Sequence, residues 1–289
     1  MVRLLAKIKR INPQDKLEMK SWHWIEQELA RLDPKRDYRR YAQLSFETRY
    51  GQPIFLHALF SVAFAYNMGH PAIAAVLYRD GRGKIMHSTR RRNFETLVFI
   101  GKIYQEGSES ALLEVLGQIK QRHAPYHIPN DLYLYTLSTF ACLPKRLADR
   151  FGQQVDEQAL EAQCRLWCKV GEKMGIEDIP PNLDAFLRWM YRFEAQHFRY
   201  TPDAEQVTRA LAAEWAEYWF PKALQPFAIK LFFALIDRPT QHVLGVADEV
   251  SPLLYRLTSQ SATAYLAAIN RLPNPRQEQH LVERFAVAS

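Results

Sequence analysis

The sequence predicts an all-α protein. Three observations predict it: helical hydrophobic periodicity runs along nearly the whole chain, strand-like alternation bounded by hairpin turns is almost absent, and only 11 glycines occur in 289 residues. With 48% hydrophobic and 12% aromatic residues, the chain can bury a substantial core and a pocket. No internal repeat, low-complexity tract or long linker marks a boundary, so residues 1–289 read as a single large multi-helix domain.

The elements follow in order. The N-terminal MVRLLAKIKRI is basic, with Leu4, Leu5, Ile8 and Ile11 at helical spacing. It lacks the long apolar core and cleavage site of a signal peptide, and reads either as an ordinary amphipathic helix or as one lying on an anionic membrane surface. Helices are expected at 21–32, 37–49, 54–67, 71–79, 91–106, 109–123, 130–141, 144–151, 157–174, 183–198, 203–219, 221–236 and 252–270. The apolar run at 54–66 is interrupted by Gly69, His70 and Pro71 before it reaches the roughly 20 residues a bilayer requires, so it reads as a buried helix. Asp156 can cap the helix ending near Met174, with Gly175 as its stop; Pro180 and Pro181 separate two long helices. Thr201-Pro202 and Ser251-Pro252 place proline in a first helical turn.

Charge narrows the function classes. The 38 Lys and Arg outnumber 31 Asp and Glu, giving +7, but the cations are scattered among acids and no zinc finger, RNP-type strand or phosphate loop accompanies them. Nucleic-acid binding is therefore not expected; the excess suits solubility or anionic partners such as haem propionates or lipid headgroups. Three cysteines, Cys142, Cys164 and Cys168, are too few to staple the chain and fit a reducing cytoplasm. Cys164 and Cys168 share a helix face, but no further cysteine or histidine completes a metal site, and packing is their expected role.

The residues able to carry chemistry cluster in the middle of the chain. Leu112, Leu116, Ile119 and His123 recur at intervals of four, three and four, which turns His123 toward the core. An inward imidazole ending a helix is either a core residue bonded to a carbonyl or a haem iron ligand, with His127 its nearest competitor. Arg92 and Thr96 begin a stripe continued by Phe99, Ile100 and Ile103, so Arg92 needs a partner: Glu95 or another carboxylate in the bland reading, a propionate or an oxygen-derived ligand in the functional one. Asn130 and Asp131 precede LYLYTLSTF and are expected to cap that helix. No Ser-His-Asp or paired-carboxylate site stands out in MGIEDIPPNLDAFLRWMYRFE.

Taken in order, LDPKRDYRRY (32–41), HPAIAAVLYRDG (70–81), RNFET (92–96), IKQRHAPYHIPNDLYLYTLSTF (119–140), EAQCRLWCKVGEKMGIEDIP (161–180), FRYT (198–201) and RLPNPR (271–276) resemble the catalytic domain shared by the MpaB-type oxygenases and the latex-clearing, rubber-cleaving proteins. The resemblance covers about residues 30–276. It implies a pocket for haem b with His123 as iron ligand, and Arg92 and Thr96 on the opposite, distal side. Two departures matter. Rubber-cleaving members carry a lysine just before the threonine, where this chain has Glu95, so a lysine-capped iron is not expected. Fungal MpaB enzymes carry an N-terminal membrane anchor, whereas this N-terminus reads as too short and charged for one; the expected setting is cytoplasmic or peripheral at a membrane surface.

The expectation is a haem b-dependent oxygenase using dioxygen, and an electron donor, on an apolar, unsaturated substrate of isoprenoid or lipid type. Arg92 and Thr96 would donate hydrogen bonds where negative charge develops, and Glu95 would assist proton transfer if burial raised its pKa. The helices around Phe94, Phe99, Leu134 and Phe140 are expected to line an apolar distal pocket. The rival readings are a peroxide-driven peroxidase or peroxygenase and a non-catalytic helical protein that binds haem or lipid. The oligomeric state is not legible.

Overall fold

The computed structural model describes residues 21–105, 108–152, 155–269 and 271–286; the basic N-terminal segment read above as amphipathic lies outside them. It is 74% helical, with no strand among the described residues. In chain order the helices are α1 (Trp24–Leu29), α2 (Tyr38–Ala42), a π-helical turn (Gln43–Arg49), α3 (Pro53–Asn67), α4 (Pro71–Tyr78), α5 (Lys84–His87), α6 (Thr89–Gln105), α7 (Glu109–His123) and α8 (Asn130–Arg150). Then follow α9 (Glu157–Met174), α10 (Leu183–His197), α11 (Pro202–Trp219), α12 (Gln225–Ala234), α13 (Arg238–Val243), α14 (Pro252–Ile269) and α15 (Leu281–Phe285).

The expected punctuation is in place. Asp156 accepts from the Gln158 N–H (3.0 Å), and Gly175 ends α9 at φ 78°, a conformation glycine adopts without Cβ strain. Thr201 accepts from the Ala204 N–H (3.1 Å) ahead of Pro202, and Ser251 from the Leu254 N–H (3.2 Å). Three short helices, α5, α13 and α15, were not expected, because four to six residues carry too little periodicity to register.

One larger departure concerns α8, expected as two helices broken near Pro144 but running unbroken from Asn130 to Arg150. A proline in mid-helix leaves the carbonyl four residues earlier without its N–H partner. Here that carbonyl is Phe140's, and Gln163 of α9 donates its Nε2–H to it at 3.2 Å. Gln163 in turn accepts from the Tyr104 hydroxyl (2.9 Å), so one buried amide ties α6, α8 and α9 together. The broken backbone bond is thus replaced from a neighbouring helix, and α8 continues.

The buried side chains form two apolar clusters. One gathers α1, α2, α6, α7, α8, α9 and α10 around Tyr135, Phe186 and Leu97. The other joins α3 and α4 to α11 and α12 around Tyr66, Phe232 and Phe233. Ile73, Leu147, Trp219 and Leu235 pack against both. No single helix among the described residues is long and apolar enough to cross a membrane; α3 and α4 pass such a test only together, and they meet at a bend of 113°. Leu56, Val62 and Tyr66 of α3 are buried, as expected for a core helix.

A C-terminal strap completes the packing. Asn274 donates its N–H to the Trp22 carbonyl (2.9 Å) and its Oδ1 accepts from the Ile25 N–H (2.8 Å), while the Trp24 indole donates to the Pro275 carbonyl (2.7 Å). Glu47, buried in the π-helical turn, accepts the Leu281 N–H at 2.8 Å and anchors the start of α15. From there α15 lies on α6, with Phe285 5.1 Å from the Phe94 ring. Gly101 permits this approach: a Cβ there would stand 2.8 Å from the Leu281 Cβ.

Candidate functional site

Helices α6 and α7, three residues apart in sequence, pack against each other, which brings the start of α6 to the end of α7. On α7, Leu112 and Leu116 are fully buried and Ile119 packs on the core. His123 is the next step of that stripe and is half-buried, as the spacing predicts. His127 is exposed.

The His123 ring lies 5.8 Å from Tyr133 of α8, and its Nδ1 is buried with no hydrogen-bond partner among the described residues. The carbonyl partner that would make it an ordinary core histidine is therefore missing from that nitrogen. Burial pushes its pKa down, and the positive charges of Arg92 and Arg122 push the same way. A helix C-terminus would favour imidazolium, but these effects outweigh it and keep the ring neutral, the form that ligates metals.

Arg92 sits in the first turns of α6. It donates from Nη1 to the Thr96 hydroxyl, which donates onward to the Arg92 carbonyl at 3.1 Å, and its guanidinium lies 5.6 Å over the Phe64 ring. Among the described residues no carboxylate pairs with it. The expected salt bridge to Glu95, three residues on and within helical reach, does not form, because three other cations hold that carboxylate: Lys84 (2.9 Å), Arg91 (3.0 Å) and Arg122 (4.0 Å). Burial pulls the Glu95 pKa up, but hydrogen bonds from Lys84 and Arg91 prevail and hold it below the usual carboxylate range. The condition set for Glu95 as a proton carrier, a raised pKa, is not met. Its three cations instead tie the beginning of α6 to α5 and to the end of α7.

The structure thus brings Arg92, Thr96 and His123 to one place and turns Glu95 away. A lone neutral imidazole suits a metal whose other positions a macrocycle fills, and a sheltered guanidinium without a carboxylate suits an anionic group, so the residues present fit a haem. Among the described residues no three His, Cys, Asp or Glu side chains gather as a cage for a bare metal ion.

Other expected neighbours differ. Asn130 does not cap α8; its side chain donates to the Glu177 carbonyl (3.1 Å) and accepts from the Glu177 N–H (2.9 Å), pinning the loop between α9 and α10. Asp131 accepts from the Leu132 N–H (2.9 Å). Phe94 does not face a pocket but packs edge-on to His57 and Tyr218. Phe140 does border a cavity, of about 20 Å³, walled by Phe60, Leu143 and Leu56 with Tyr104, Thr139 and Gln163 at its polar edge. That polar edge had no signal in the sequence, because its residues come from three helices.

A second buried polar group, also unforeseen, braces α6 from behind. The Trp219 indole donates to His57 Nδ1 (3.0 Å), leaving the ring proton on Nε2, which faces the Glu214 carboxylate at 2.9 Å. Asn93, next to Arg92, donates to Ser61 (2.8 Å) and to Glu214 (3.3 Å), and Arg90 reaches the other Glu214 oxygen at 3.3 Å.

The family model described as the catalytic domain of ER-bound oxygenase mpaB/B' and rubber oxygenase matches residues 48–287, and the chain belongs to that family. No curated protein matches the chain. The family match starts later than the resemblance read from the sequence and extends further, through α15.

Proposed function

We propose that this oxygenase-family chain is haem b-dependent and uses dioxygen on an apolar, unsaturated substrate of isoprenoid or lipid type, in the cytoplasm or at a membrane surface. The observation that carries the reading is the meeting of His123, whose buried Nδ1 has no hydrogen-bond partner among the described residues, with an Arg92 that no carboxylate among them pairs with. His123 would hold the iron, and Arg92 and Thr96 would offer hydrogen bonds to negative charge arising at the bound group.

A bound haem would supply the redox centre at which dioxygen is activated, with electrons from an external donor. The chain's own part is electrostatic. The Arg92 guanidinium is held by its hydrogen bond to Thr96, so its remaining N–H groups would need little reorganisation to meet negative charge as it develops, whereas the Thr96 hydroxyl would first turn from the Arg92 carbonyl. Glu95, ionised among its cations, positions the start of α6. The aromatic and aliphatic surroundings would exclude water and leave the polar groups of a sugar or nucleotide unpaired, whereas burial of apolar surface, at roughly 25 cal/mol per Å², would hold an alkene.

The test is spectral and catalytic. Purified protein made with adequate haem supply should show a strong Soret band, and reduced enzyme with dioxygen should release carbonyl products from short isoprenoids or unsaturated lipids. Turnover confined to polar phenols, or driven by peroxide and not by dioxygen with reductant, would replace the reading with a peroxidase.

A further inference from the structure

Cys164 and Cys168 lie one turn apart on α9 with their sulfurs at 3.9 Å, the first buried and the second half-exposed. All three cysteines are free thiols. We propose that Cys168 is an oxidant-reactive thiol, activated by Cys164, that takes hydroperoxides and rests as a sulfenic acid or as a mixed disulfide with a small thiol.

The geometry assigns the two sulfurs different tasks. Cys164, enclosed in the core, has no route to a solute, whereas Cys168 reaches solvent and can be attacked. The contact admits either thiol as donor, but charge is better hydrated at the half-exposed Cys168 than at the enclosed Cys164, so Cys164 is assigned as donor; that hydrogen bond, helped by Lys169 and Arg165 and opposed by burial and Glu172, lowers the Cys168 pKa. The same contact, with burial, raises that of Cys164, which keeps its proton and serves as the donor. A low-pKa, accessible thiol beside a second thiol is the arrangement that peroxides oxidise first.

In the reaction the Cys168 thiolate attacks one peroxide oxygen. The S–O bond forms as the O–O bond breaks, sulfur is oxidised by two electrons, and the departing hydroxide or alkoxide takes a proton from water. Condensation with a small thiol then gives the mixed disulfide and releases water.

Closure onto Cys164 is disfavoured by the helix itself. Residues four apart hold their Cβ atoms about 5–6 Å apart, whereas a disulfide needs about 3.5–4.5 Å. Bridging the pair would require unwinding a turn of α9 that Leu166, Trp167 and Val170 bury against the core.

The full-length protein is treated with hydrogen peroxide and dimedone and the adduct is mapped by mass spectrometry. In parallel, the rate with a pyridyl disulfide, which iron does not consume, reads the same thiolate. The expected result is first labelling at Cys168 by both reagents, loss of that label in Cys168→Ser, and a rate about tenfold lower in Cys164→Ala, as for a thiolate that has lost its neighbouring donor. Preferred labelling of Cys142 or Cys164, an intramolecular disulfide two mass units lighter, an unchanged rate in Cys164→Ala, or no faster reaction than an unstructured cysteine peptide would overturn the proposal.

Discussion

Gln163 donates to the main-chain oxygen of Phe140, the carbonyl that Pro144 leaves without a helical partner. Replacing Gln163 by Leu should strand that oxygen and the Tyr104 hydroxyl in the core, at a cost of roughly 1–3 kcal/mol for an unsatisfied buried group. Pro144→Ala returns an N–H to the Phe140 carbonyl, so Gln163→Leu should cost less in that background. Urea unfolding of the four proteins of the cycle measures the coupling, and strict additivity would show that the amide does not substitute for the missing bond.

His123→Ala should lose most of the Soret absorbance while His127→Ala keeps it, since only the first imidazole is sheltered. Equal retention in both variants would remove His123 as the ligand.

Thr96→Val and Arg92→Ala should keep haem bound but slow substrate oxidation by one to a few orders of magnitude, corresponding to roughly 3–4 kcal/mol for a lost preorganised donor. Single-turnover rates at saturating substrate are the measure. If Arg92→Ala instead purifies without haem, the guanidinium anchors a propionate.

Glu214 gives a pH dependence whose sign is set by its neighbours. Burial pushes its pKa up, but the hydrogen bond from His57, with those from Asn93 and Arg90, holds it below its ordinary value of 4.5. Its contribution to stability is therefore present above that ordinary value and is lost as the pH falls through the depressed one. The urea midpoint of the native protein should fall more steeply between pH 5 and pH 3.5 than that of Glu214→Gln, both ranges being rough brackets of a carboxylate titration. Parallel profiles would mean that Glu214 is not the group responsible.

Gly101→Ala should destabilise the protein by roughly 1–3 kcal/mol, because the added methyl collides with the Leu281 Cβ and the Val282 N–H and both belong to packed main chain or its first carbon. Thermal unfolding reads the loss directly. An unaltered midpoint would mean that α15 yields at no cost.

What the sequence made legible was whatever a single helix carries within itself. The stripe of Leu112, Leu116, Ile119 and His123 requires only the helical period, and the Arg92–Thr96 pair requires only a spacing of four. Caps such as Asp156 and Thr201 are equally local. The unforeseen features depend on partners distant in sequence: Gln163 rescuing α8, Glu177 claiming Asn130, and Lys84 with Arg122 drawing Glu95 outward. The brace of His57, Trp219 and Glu214 joins residues more than 150 positions apart, and periodicity records nothing at that range.

The strap at residues 274–285 touches partners 234 to 251 positions earlier, at Glu47, Ile25 and Trp24. During synthesis these contacts form only after the whole stretch between the partners has left the ribosome, and closing so long a loop is slow. Until then the face of α6 that α15 covers stays open, with Phe94 and Gly101 uncovered only a few residues from Arg92 and Thr96. The nascent protein therefore passes through a stage in which this face of α6 is bare apolar surface, open to unwanted association until α15 covers it.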